Sequence, residues 1–266
     1  MKVVFWGPNR GKGATTSCLL SIATNLAFNS HLKNCIISTD CKDRIQSNFI
    51  SKESEEVLLN SASGFGVNAL LRDAKGDMLT ETNIDDAALE LSKKLSLYIS
   101  ASDKEPKSVE KSMQSSWTEL LDALNRHYNI VFIDTKGGYT RFNTDVLASA
   151  DLIVVCFAQD TAAIEDAFEQ CNFTKNQCMF VMGNYDNNIS CSLQNLRNGH
   201  REVSAANSAK IIHCAEFADA RNRNALFKWV STIQGCKPKN AAYSYQKSVL
   251  EATSTMLKLL KIGGKE

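Results

Sequence analysis

Lys2-Val-Val-Phe-Trp6 runs directly into Gly7-Pro8-Asn9-Arg10-Gly11-Lys12-Gly13-Ala14-Thr15-Thr16-Ser17, and then into the apolar stretch Cys18–Phe28. The first five residues read as a buried strand, and Ala14–Phe28 reads as a helix. A glycine-bearing turn between a strand and a helix aims several backbone N–H groups the same way, onto the positive end of the helix dipole. That makes an anion site. Thr15 and Thr16 stand in the first helical turn, where their hydroxyls can meet a phosphate and a Mg²⁺ ion. The strict phosphate-loop pattern G-x-x-x-x-G-K-[ST] is not met, because Ala14 follows Gly13 where lysine is required. The competing reading is a plain strand–helix turn whose glycines serve tight packing.

Working outward, short apolar runs alternate with helical patterns. Lys2–Trp6, Cys35–Ser38, Leu95–Ser100, Ile130–Asp134, Leu152–Phe157, Cys178–Met182 and Lys210–His213 are short, rich in β-branched residues and lack a polar face. Such runs fit a parallel sheet covered on both sides. Between them, Asn68–Ala74, Thr80–Lys94, Val109–His127, Thr161–Phe173 and Tyr243–Lys261 read as amphipathic helices. Within the second of these, Ile84, Ala88 and Leu91 fall at helical spacing. The alternation predicts a doubly wound, mostly parallel α/β sheet with helices on both faces. No linker or repeat interrupts it, so residues 1–266 are expected to form one domain. Ligands of such sheets bind at the carboxyl ends of the strands, which points to the loops after Trp6, Ser38, Asp134 and Met182.

Charge and cysteine usage exclude several classes. Thirty basic and 29 acidic residues leave a net charge of +1, so no global field favours nucleic acid or an anionic membrane. Nine cysteines, scattered and without a C-x-x-C pair, fit neither a disulfide scaffold nor a zinc ribbon. The apolar run in MKVVFWG is too short for a signal peptide, and Leu152–Ala158 is too short to span a bilayer. A cytoplasmic protein with mostly core thiols is the expectation; Cys35 and Cys41 flank strand two and its loop, and Cys41 is the one thiol expected to border a ligand bound there.

Ile130-Val-Phe-Ile-Asp134-Thr-Lys-Gly137-Gly138 is an apolar strand ending in an acid and a glycine turn. An Asp at the end of a neighbouring strand can hold Mg²⁺, and the glycines leave the backbone free to approach a phosphate. Taken with the first loop, these motifs resemble the ParA/MinD superfamily of deviant Walker A ATPases. The family's K-G-G-x-G-K-[ST]-T falls on Asn9–Thr16. Its D-x-D-P-Q falls on Ser38-Thr39-Asp40-Cys41-Lys42, and its D-T-P-P-G on Asp134-Thr135-Lys136-Gly137-Gly138. Val181–Asp186 is similar to the segment that contacts adenine, and His213–Ala220 to the late P-Y-N-x-x-F-x-x-A segment. Gly66–Arg72 also looks like a ParA-type stretch.

The resemblance implies ATP and Mg²⁺ as cofactors. It places Asn9, Arg10, Gly11, Lys12, Gly13, Ala14, Thr15, Thr16, Asn184 and Tyr185 at the nucleotide, Thr15 and Asp134 at the metal, and Asp40 and Asp134 in catalysis. It further implies a homodimer closed around the nucleotide that positions a cargo: DNA, or a pilus, secretion or conjugation apparatus, as in the Tad-pilus localisation relatives with altered motifs. The departures are specific. Ala14 and Asn9 replace two lysines, and Ser38 replaces the acid that positions water. These groups act through charge and positioning, so binding is expected to outlast hydrolysis. Arg10 and Lys12 are candidates to restore positive charge. The alternative is a non-enzymatic adaptor with a vestigial site; a metabolic P-loop enzyme fits less well without the catalytic cation.

Two C-terminal features admit further contacts. Arg197, His200 and Arg201, and separately Arg221, Arg223, Lys228, Lys237 and Lys239, are candidate DNA patches or ordinary solvated faces. Met256–Glu266 reads either as a short membrane-surface helix or as the end of the last packing helix.

Overall fold

The computed structural model describes residues 1–9, 11, 13–40, 44–61, 65–76, 78–99, 106–171, 173 and 178–262, with side chains except at 60, 61 and 106–110. Eight strands form one sheet: β1 (Lys2–Trp6), β2 (Asn34–Ser38), β3 (Leu89–Ser92), β4 (Leu95–Leu97), β5 (Ile130–Asp134), β6 (Leu152–Phe157), β7 (Cys178–Tyr185) and β8 (Ser208–Ile212). Their order is β3-β4-β2-β5-β1-β6-β7-β8, parallel throughout except that β3 runs against β4. Eleven α-helices join them among the described residues: α1 (Thr15–Asn29), α2 (Lys52–Ser61), α3 (Gly66–Lys75), α4 (Glu81–Asp86), α5 (Pro106–His127), α6 (Arg141–Ala148), α7 (Thr161–Gln170), α8 (Leu193–Gly199), α9 (Ala215–Asn222), α10 (Leu226–Thr232) and α11 (Tyr243–Leu259). The expected doubly wound sheet is thus present.

β1, β2 and β5 are buried almost along their whole length, which is why their runs carry no polar face. α1 is buried from Cys18 to Ala27 because it is covered on one side by the sheet and on the other by α11. Tyr245 of α11 donates from its hydroxyl to Ser21 Oγ at 2.8 Å, tying the two helices at a polar point inside the core. α3 and α5 cover the opposite face.

The helix expected over Thr80–Lys94 is corrected. Thr80 does cap a helix, its Oγ1 accepting from Asn83 N at 3.2 Å, but that helix stops at Asp86. The chain then turns into the β3–β4 hairpin, with Leu89 opposite Leu97 and Glu90 exposed between the half-buried Leu89 and Leu91. Leu91 therefore belongs to a strand of period two at the sheet edge, although its distance from Ile84 also suits a helix. β4 ends at Leu97 rather than at Ser100, although Tyr98 N still donates to Ile36 O at 2.9 Å. α2, α6, α8, α9 and α10 were not expected.

The described end of the chain packs inward. Met256 and Leu260 are buried in the core, and Leu257, Leu259 and Ile262 lie against it. The apolar residues on which a membrane-surface helix would depend are therefore already used by the fold. No described helix is long and apolar enough to cross a membrane.

Candidate functional site

β1 lies between β5 and β6, and the chain crosses from one side of it to the other, so the loop after Trp6 sits at the switch point of the sheet. That loop is shaped by missing Cβ atoms. A Cβ on Gly13 would stand 2.7 Å from the carbonyl oxygen of Cys156 in β6, and one on Gly7 would stand 2.9 Å from Thr15 Oγ1. Side chains at these two places would push the loop off the sheet. Ala14 follows in the left-handed conformation, φ 53° and ψ 26°, as the N-cap of α1. It supplies no side-chain cap, and the first turn of α1 holds no acid. The N–H groups of that turn are thus left to a ligand or to water. The Cβ of Ala14 faces Gly183 of β7, where an added Cβ would lie 2.8 Å from it.

A cavity of about 470 Å³ opens in front of this turn, within the range of nucleotide-sized pockets. Asn9, Gly11, Gly13, Ala14, Thr15, Thr16, Asp40 and Asn184 line it as expected. Asp134, 1% exposed at the end of β5, accepts a 2.7 Å hydrogen bond from Thr16 Oγ1. The hydroxyl joined to the acid is therefore that of Thr16, whereas the sequence points to Thr15. Ser38 Oγ accepts from Asp40 N at 3.1 Å, so it fixes the turn after β2 that carries Asp40 to the cavity.

Tyr185 takes a different place from the one expected. The pairing of β7 with β8 slips between Met182 and Tyr185, and Asn184 adopts φ 48°. This irregularity turns Asn184 to the cavity and returns Tyr185 to the core, 5% exposed, with Lys210 Nζ 4.3 Å from its ring centre. Arg10, Lys12 and Cys41 lie outside the described residues. Cys156 and Cys178 are buried as expected, and burial pushes the Cys156 thiol up, away from any nucleophilic form. Among the described residues no group of His, Cys, Asp and Glu side chains has the makings of a separate metal site.

The glycine turn after Asp134 is held differently. Gly137 and Gly138 both have positive φ, 75° and 76°, and their carbonyl oxygens accept from Asn143 Nδ2 at 2.8 and 2.9 Å. Gly138 O also accepts from Trp6 Nε1 at 3.0 Å, and Gly138 N donates to Gly7 O at 3.0 Å. The turn is thereby tied to the first loop.

Five lining residues were not named as site residues: Ser17, Thr135, Lys136, Gly137 and Arg221. Arg221, counted in the sequence with a surface basic group, reaches from α9 to the mouth of α1. Its Nη1 donates to Ser17 Oγ and its Nε to Asn48 Oδ1, each at 2.6 Å. The run after His213 carries Arg221 in sequence, but only the packing of α9 on the 3-10 turn Ile45–Asn48 brings it here.

The donor set fits a nucleotide phosphate with a divalent cation. There is a glycine cradle that a Cβ would fill, an open helix N-terminus, and a hydroxyl paired with a buried carboxylate. No protein-family model and no curated protein matches the chain. Solved structures do. A ParA family ATPase from Chlorobium tepidum superposes with a TM-score of 0.72 at 9% identity, over 95% of this chain and 98% of that one. The septum site-determining protein MinD from Pyrococcus horikoshii, complexed with Mg-ADP, superposes at 0.65 with 15% identity, over 100% and 99%. A plasmid partition protein from Borrelia burgdorferi, bound to AMPPNP, superposes at 0.63 with 15% identity, over 97% and 98%. The chain has the fold that these three proteins share.

Proposed function

We propose that this chain binds ATP with Mg²⁺ in the cavity at the head of β1 and forms a homodimer around the nucleotide. Its output is spatial: the positioning of DNA or of a pilus, secretion or conjugation apparatus through a cargo or adaptor protein. The observation that carries this reading is the Thr16–Asp134 pair set beside the glycine-lined loop, the combination that a Mg-nucleotide needs. Two proteins of the same fold were captured with Mg-ADP and with AMPPNP, which supports the ligand class. In this reading Asn9, Gly11, Gly13, Thr15, Thr16 and Asn184 face the nucleotide, Asp134 with Thr16 or Thr15 serves the cation, and Asp40 faces the reacting end. Arg10 and Lys12 add charge from the loop. Hydrolysis is weak, since Ala14, Asn9 and Ser38 lack the charged groups that phosphoryl transfer uses.

Titration of the purified protein with ATP, with and without Mg²⁺, tests binding, and light scattering of the same samples tests dimerisation. Saturable Mg-dependent binding with a rise to dimer mass is the expected result. A turnover rate equal to that of an active ParA ATPase would refute weak hydrolysis. A second reading, a non-enzymatic adaptor whose site is vestigial, is favoured by the Gly138 N–H, which is already donated to Gly7 O. An absence of binding at millimolar ATP would decide for it. DNA contact through the C-terminal region belongs to the same proposal, and a gel shift with duplex DNA tests it.

A further inference from the structure

Asn184 is the one exposed residue of β7, and it lines the cavity. Its carboxamide has no hydrogen-bond partner among the described residues, while its backbone is held in the left-handed region at φ 48°. A free carboxamide presents a donor and an acceptor side by side, and asparagine tolerates this conformation better than most residues. Where the group points depends on the backbone around it, and the segment that follows is fixed at several places. Tyr185 O accepts from His213 N at 3.0 Å, and Asn187 Oδ1 accepts from Lys210 Nζ at 2.9 Å. Asp186 Oδ1 accepts from Asn188 N at 2.8 Å and closes the next turn.

Gln159 adds a clamp that no sequence motif records. It lies in the loop between β6 and α7, outside the lining of the cavity. Its Oε1 accepts from Asp186 N at 2.7 Å, and its Nε2 donates to Asp186 O at 3.1 Å and to Cys191 O at 2.8 Å. One carboxamide thus pairs with both backbone groups of Asp186, as a neighbouring strand would, and also holds the far end of the 186–191 loop.

We propose that Gln159 is a positioning residue for nucleobase recognition. By clamping Asp186 and Cys191 it fixes the backbone that aims the Asn184 carboxamide into the cavity, where Asn184 reads a donor–acceptor edge of the base. Asparagine meets adenine in this bidentate way when it reads N6 and N7. The proposal rests on the nucleotide reading above.

The test measures binding of ATP and of inorganic tripolyphosphate, each with Mg²⁺, to the wild type, Gln159→Ala, Asn184→Ala and the double variant. Loss of about one net hydrogen bond predicts ATP binding weakened by about twofold to tenfold in Gln159→Ala, with tripolyphosphate binding unchanged. In the Asn184→Ala background, removing Gln159 should weaken ATP binding no further, because the clamp acts through Asn184. If Gln159→Ala fails to fold, Gln159→Glu carries the test, since it keeps the acceptor for Asp186 N and loses both donated bonds. The proposal is overturned if the folded Gln159 variants bind ATP as the wild type does. It is overturned equally if tripolyphosphate weakens along with ATP, or if the losses at Gln159 and Asn184 simply add, as a merely structural role would give. A wild type that binds neither ATP nor tripolyphosphate overturns the nucleotide reading itself, so the two failures are distinct.

Discussion

The two glycine turns that meet at Gly7 and Gly138 need glycine for different reasons. Gly13 in the first turn needs space: a Cβ there would meet the backbone oxygen of Cys156 at 2.7 Å. Gly138 in the second has room, its nearest atom to an added Cβ being Pro8 O at 3.9 Å, yet its φ of 76° suits few other residues. The first turn is held by contact with the sheet, and the second by hydrogen bonds from Asn143 and Trp6. A turn fixed by packing offers one shape. A turn fixed by a few polar bonds can exchange them, so the second is the part of the site able to respond to a ligand.

The largest effect should come from the packed turn. Gly13→Ala is expected to cost about 3 kcal/mol in urea unfolding, and Gly13→Asn should rescue nothing, because space is the constraint. Thr16→Val removes the donor to the buried Asp134 carboxylate. It should cost about 2 kcal/mol and abolish the Mg²⁺ dependence of ATP binding, read by calorimetry in the presence and absence of the metal. Gly138→Ala should cost about 1–2 kcal/mol, with Gly138→Asn milder because asparagine tolerates positive φ. If Asn is as poor as Ala there, the distinction between the two turns fails. Asn143→Ala should raise hydrogen exchange at residues 135–139 while residues 13–17 keep their protection; equal loosening of both would show them to be a single unit.

The smallest effect concerns Tyr139, which follows the second turn and packs edge-on against Trp6 at 5.4 Å between ring centres. Burial, and then the neighbouring Cys171, push its hydroxyl up to about 12. A phenol held neutral above its ordinary value of about 10 contributes to folding below that value and loses its contribution as pH rises from about 10 to 12. Tyr139→Phe should therefore flatten the alkaline limb of the stability profile slightly, an effect kept small because Tyr139 is 46% exposed.

Legibility in the sequence followed locality. The strands that frame the site were legible because β1, β5 and β6 are buried on both faces and so read as unbroken apolar runs. β3 was not, since an edge strand alternating Leu89, Glu90, Leu91 after a helix continues a helical spacing by coincidence. Asp134 could be read from its place at the end of an apolar strand. Tyr185 could not, because a one-residue irregularity beside Asn184 decides which side chain faces the cavity. Arg221 was beyond reach: nothing near residue 221 records that α9 packs beside the first turn of α1. The local half of the cavity can be read from short motifs, and the half made by tertiary packing cannot.

The reach of these contacts also sets an order of assembly. Thr16 bonds a carboxylate 118 positions later, and Ser17 a guanidinium 204 positions later. β1 itself has no neighbour until β5 and β6 have been made. During synthesis the loop after β1 must therefore wait until β5, β6 and α9 have followed it. Arg221 of α9 is the last lining residue to be made, so a chain cut short before Ala215 carries the phosphate-loop motif and lacks the guanidinium beside it.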